Sequence, residues 1–143
     1  AHLDRATEIL ESLVENNPQN PEFRYLLALC YRDPRSDLAD KEKAIEFLRQ
    51  LSRQYPGVAD YVHALSETLG TAVWHLGFGS KARHLAETQL LESLQLIRAL
   101  RKQHPNAQDY AFTQAHVLEK LAHVVRDRPE DAESYFEEAI QMG

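Results

Sequence analysis

Apolar positions along the first half of the chain recur with the period of an α-helix. Leu3, Ala6, Leu10, Leu13 and Val14 fall on one face of a stretch from Leu3 to Asn16, and Asn16-Asn17-Pro18 ends it. Asn20-Pro21-Glu22 then opens a second helix, with a capping Asn ahead of a Pro at the first helical position. This helix carries Phe23, Leu26, Leu27, Cys30 and Tyr31 inward and ends near Asp33-Pro34. Ser36, Asp37 and Asp40 form an acidic turn able to cap a third helix, which runs to about Tyr55 with Ala44, Phe47, Leu48 and Leu51 apolar. Gly77-Phe78-Gly79 breaks the pattern, Ser80 is the expected cap of a long helix through Gln103, and Glu130 to Met142 reads as a last helix.

The pattern repeats against three prolines. Pro18, Pro56 and Pro105 each stand five residues before an aromatic, namely Phe23, Tyr61 and Tyr110. Twelve residues before each comes a small residue (Ala6, Ala44, Ser93), eight before a large aliphatic (Leu10, Leu48, Ile97), and five before a leucine (Leu13, Leu51, Leu100). Ala132-x-x-x-Phe136-x-x-Ala139 continues the spacing. A small residue beside a large one lets two helices approach closely, so Ala28, Ala44 and Ala115 are expected to be buried at helix crossings. Trp74 is expected to be buried near Leu85 or Leu90, on added turns of the helix that precedes the glycine break.

Leu27-Ala28-x-x-Tyr31, then Ala44-x-x-x-Leu48, then Pro56 resembles the helix-turn-helix unit of tetratricopeptide repeats, with Arg24 in the slot where the family often has Trp and Ala28 in the Gly slot. The resemblance implies an all-α, right-handed α-solenoid of about seven helices with an extended second hairpin. Its units are approximately 1–18 (partial), 19–56, 57–105 and 106–143, within one domain over 1–143. The prolines are spaced 38 and 49 residues apart, against a standard unit of about 34. The extra length falls at 33–40, 70–83 and 123–129. Such long helices resemble repeats in tails of bacterial Ser/Thr kinases and sigma factors, and Pro21 to Ala28 carries that likeness. Helices at both ends lack a neighbour, which reads as a fragment of a larger protein or as ends that pack on another copy.

Function follows from the same resemblance: a non-catalytic scaffold that binds a protein or peptide in a concave groove, within a bacterial signalling or regulatory protein. The groove positions on successive first helices are Glu22, Tyr25 and Leu29, then Asp60, His63 and Glu67, then Asp109, Phe112 and His116. The family's chaperone-binding members hold a terminal carboxylate with Lys and Arg here. Tyr25, His63 and Phe112 replace those cations, so an apolar or basic helix or strand is the expected ligand. The acids at each helix start also complement the helix dipole, and aromatics at this spacing are as readily core as ligand platform.

Composition adds few alternatives. The 143 residues are 43% hydrophobic and 27% charged with a net charge of −6, which argues against nucleic acid or anionic lipid as main partner. No apolar run approaches the roughly 20 residues that span a bilayer. Cys30 is the single cysteine, so no intrachain disulfide forms and a reducing, cytoplasmic setting is expected. His116, Glu119 and His123 share a helix face, yet Glu-x-x-His and His-Glu-x-x-His are both absent, and no metal, cofactor or catalytic residue is expected. Arg98, Arg101, Lys102 and His104 suit a helix C-terminus. A small metal-dependent helical enzyme and a self-association domain, a homo-oligomer joined through the unpaired end helices, are the competing readings.

Overall fold

The computed structural model describes residues 2–142, with side chains from Arg5 onward, so Leu3 lies outside the described side chains. Seven α-helices and no strand occur among the described residues: α1 (His2–Asn16), α2 (Pro21–Tyr31), α3 (Leu38–Gln54), α4 (Ala59–Ala72), α5 (Ser80–Gln103), α6 (Gln108–Val124) and α7 (Pro129–Gln141). A 3-10 turn over Val73–His75 follows α4. α1 packs on α2 and α2 on α3; α5 packs on α6 and α6 on α7. The fold is all-α and built of helical hairpins, as the resemblance implies. It forms two compact units, Ala1–Thr68 and Leu69–Gly143, with the boundary inside α4.

In the first unit, local chemistry places the helix ends. The Asn20 side chain accepts from the Phe23 amide at 3.2 Å with Pro21 at the first helical position. Asp37 accepts from the Asp40 amide at 2.9 Å to start α3. Ala28 and Ala44 are wholly buried, as are Leu48 and Leu51, so the small residues do sit where α2 and α3 meet. Two expectations of α1 and α2 are corrected. Ala6 is exposed, because α1 packs on a helix of eleven residues against its own fifteen and its apolar face is covered along only part of its length. Leu26 is 38% exposed, one position off the buried stripe of Leu27, Ala28 and Tyr31.

The connection between α2 and α3 is a hydrogen-bonded knot. The buried Lys41 ammonium donates to the Asp33 carbonyl (3.1 Å), the Ser36 carbonyl (2.8 Å) and the Ser36 hydroxyl (3.0 Å). The Ser36 hydroxyl in turn lies 2.6 Å from the carbonyls of Tyr31 and Asp33. All three ammonium protons thus have acceptors, which is what lets a lysine be buried without a carboxylate partner.

In the second unit, α5 turns Leu90, Ser93, Leu94, Ile97 and Leu100 inward, and α6 turns Val117, Leu118 and Leu121 inward. α7 closes on α6 through Ala122, Val125 and Ala132, with Tyr135 against them. The end of α4 is tied down from both partners: Gln89 donates to the Leu69 carbonyl at 2.9 Å and Lys120 to the Gly70 carbonyl at 3.0 Å. Burial pushes the Lys120 ammonium below its ordinary value.

Three expectations here are corrected. Trp74 is 76% exposed, not buried. Its register explains this: at 100° per residue Trp74 falls on the helix face opposite Leu65, Leu69 and Ala72, and the 3-10 turn over Val73–His75 does not bring it back. Ser80 is the first residue of α5 and makes no capping bond; the cap position is Gly79. Ala115 is only half-buried: it stands on the α7 side of α6, with Ala139 and Met142, at an open depression that leaves part of it uncovered.

Candidate functional site

Six of the nine groove positions lie in the first unit. Their setting begins with the Asn20-Pro21 start of α2, which puts Glu22 and Tyr25 on consecutive turns. Tyr25 is half-buried with its ring 5.0 Å from that of Tyr61, and Tyr61 meets Tyr55 edge-on at 6.2 Å. Burial, and next the Asp60 carboxylate, push the Tyr25 phenol above its ordinary value; Arg32 opposes this, and Glu67 and Glu22 add to it. Burial first, and then Glu22, act the same way on Tyr61. Glu22 and Asp60, from two helices, therefore project negative potential onto both tyrosines, and Glu67 adds to it at Tyr25.

His63 stands one turn before Glu67, with 3.9 Å between Nδ1 and the carboxylate. Glu67 also meets Arg32 at 3.3 Å, so its charge is partly engaged from within. Leu29 is half-buried on α2, while Glu22 and Asp60 are exposed. Tyr61 and Arg32 escaped the sequence reading. Arg32 follows Tyr25 by seven residues, two helical turns on the same face, and that spacing was the available signal.

The remaining three positions lie in the second unit. Phe112 is 67% exposed, its ring 4.5 Å from His116, so it is a surface aromatic and not core. Phe112 and Asp109 line an open depression of about 420 Å³ whose floor includes Ala115, Ala139 and Met142. His116 and Asp109 are exposed. The basic cluster of α5 is engaged: Arg98 pairs with Glu138, and Arg101 donates to Gln114 at 3.3 Å.

Among the described residues no three His, Cys, Asp or Glu side chains gather as a metal site, and no helix is long and apolar enough to cross a membrane. Helical hairpins whose surfaces gather aromatic and charged side chains define a class of binding scaffold. Residues 2–68 match the family model described as Tetratricopeptide repeat, a family whose repeats generally mediate protein–protein interactions. No curated protein matches the chain.

Proposed function

We propose that the chain is a non-catalytic interaction scaffold whose first unit binds a basic peptide segment at Glu22, Tyr25, Leu29, Asp60, His63 and Glu67. The observation that supports this is the Tyr25–Tyr61 ring pair, 5.0 Å apart, set among the Asp60, Glu67 and Glu22 carboxylates, which with burial raise the Tyr25 phenol. A cationic side chain laid on Tyr25 gains both the ring face and the carboxylates. Asp109, Phe112 and His116 offer the second unit a separate, more apolar contact, supported by the open depression beside Phe112. A place in a bacterial signalling or regulatory protein rests on the likeness of Pro21 to Ala28 alone.

The test is fluorescence anisotropy with two labelled peptides of one length, alternating Lys with Leu or Glu with Leu. The Lys peptide should bind and the Glu peptide should not. The Asp60→Asn, Glu67→Gln double variant should weaken binding by about tenfold or more, since anchors of this kind dominate interface energy. Equal binding of both peptides, or an unaffected double variant, would rule out this site.

A further inference from the structure

The stretch that joins α4 to α5 differs in chemistry from the rest of the chain. From Thr68 to Ala86 there is no Asp or Glu, whereas Lys81, Arg83, His75 and His84 all fall within it. The whole chain carries −6, so this is a local reversal of sign. Arg83 lies 3.5 Å from Asp127, and Lys81 is exposed.

The same stretch holds the most exposed large aromatics. Phe78 is fully exposed, Trp74 is 76% exposed and Leu85 is 47% exposed. Gly77 and Gly79 flank Phe78 with φ of 90° and 99°, a backbone that side-chain-bearing residues rarely adopt, and it holds the ring away from the helices. A Cβ placed on either glycine would meet nothing within 4 Å, so the tip is convex and open on both sides of Phe78. Single exposed apolar residues need no explanation. A Trp and a Phe four residues apart in a stretch without acids of its own, where Asp127 reaches Arg83 and Lys81 has no ion pair among the described residues, are more than scattered exposure.

We propose that this tip is a peripheral anchor for an anionic membrane surface, with Trp74 and Phe78 entering the headgroup region and Lys81 and Arg83 facing the lipid charges. Convexity favours a bilayer over a protein partner. Two projecting rings need a matching hollow in a protein, whereas the membrane interface accepts Trp and Phe without preformed shape. The cations are on the correct residues for the headgroup layer, where their stems can lie along apolar surface. The net charge that set anionic lipid aside averages over the chain, yet electrostatic attraction is felt within a Debye length of about 8–10 Å. The sign of the tip therefore decides. This inference stands apart from the peptide site of the first unit, and variants at the tip leave that site intact.

Trp74 is the only tryptophan, so its emission reports the tip directly. The full chain is titrated with vesicles of phosphatidylcholine alone and of phosphatidylcholine with phosphatidylserine. The expected result is a blue shift and co-sedimentation with the phosphatidylserine vesicles, both reduced by added salt. Phe78→Ser and Lys81→Glu should each lower the vesicle-bound fraction about tenfold, with unchanged circular dichroism. Unchanged emission with both vesicle types overturns the inference. So does an equal shift with both, because charge would then play no part, and so does full binding by Phe78→Ser. Binding to polyglutamate without any vesicle response also overturns it and assigns the tip to an acidic protein.

Discussion

The connection from α2 to α3 and the connection from α4 to α5 each link two helices, and they are built from opposite materials. The first is closed: Lys41 and Ser36 are buried and spend their polar atoms on backbone carbonyls of the turn. The second is open: a 3-10 turn, two glycines at positive φ, and aromatic side chains turned to solvent. The closed turn is held by hydrogen bonds that water would otherwise make, so its integrity depends on particular side chains. The open turn is held by what precedes it, through Gln89 and Lys120 on the last turns of α4, and by half-buried Val73 and Leu76, while Trp74 and Phe78 are left unconstrained by packing. Side chains of a connection that carry no packing duty are where a binding surface can reside.

The sharpest way to break this comparison is Lys41→Ala. It removes the lysine donor from the buried Ser36 carbonyl and hydroxyl, while the Asp33 carbonyl keeps the Ser36 amide, and should cost about 3 kcal/mol. Hydrogen exchange should show α2 and α3 losing protection while α5 and α6 keep theirs. Unchanged protection in α2 and α3 would mean that the knot does not hold the turn. Next comes Ala44→Leu, at a residue with no exposed surface, where overpacking should cost about 2 kcal/mol. An unaltered thermal midpoint would remove the close approach of α2 and α3.

In the open turn the effects should be smaller. Gly79 has φ 99° and ψ 175°, and alanine there should cost about 1 to 2 kcal/mol through the backbone alone. Urea denaturation of Gly79→Ala beside wild type measures it. Phe78→Ser should change stability by no more than about 0.5 kcal/mol. A larger loss in the same urea titration would show that the ring is packed after all.

Helix ends were the most legible feature, because caps are local chemistry. Asn20-Pro21, Asp37 and the Gly77-Phe78-Gly79 break were all readable from a few neighbouring residues. Burial at the crossings was readable for Ala28 and Ala44, where the motif is complete. It failed at Ala115, which has the right register but shares an open depression with Ala139 of α7 and is left half-covered. Trp74 failed for a different reason: its size argued for burial, whereas its register, on the helix face opposite Leu65, Leu69 and Ala72, argued for exposure and prevailed. In the candidate site, the periodicity placed Tyr25, Asp60, His63 and Glu67 near one another. It gave Arg32 only a shared face with Tyr25 and gave Tyr61 no part in the site, because the contacts of both depend on how two helices are set side by side.

The ties on the end of α4 have a consequence for a broken chain. A chymotryptic cut after Phe78 would divide the protein at an exposed, unpacked point. The amino-terminal piece would keep Leu69 and Gly70, and the carboxy-terminal piece would keep Gln89 and Lys120, which bond to their carbonyls. Leu69 and Ala72 would remain buried on the amino-terminal side of the cut. The two pieces should then behave as complementing fragments and co-elute from a sizing column, whereas separate elution would show that the covalent link was needed. A chain that survives this cut can also be opened there, with new ends at Phe78 and Gly79, to receive an inserted domain.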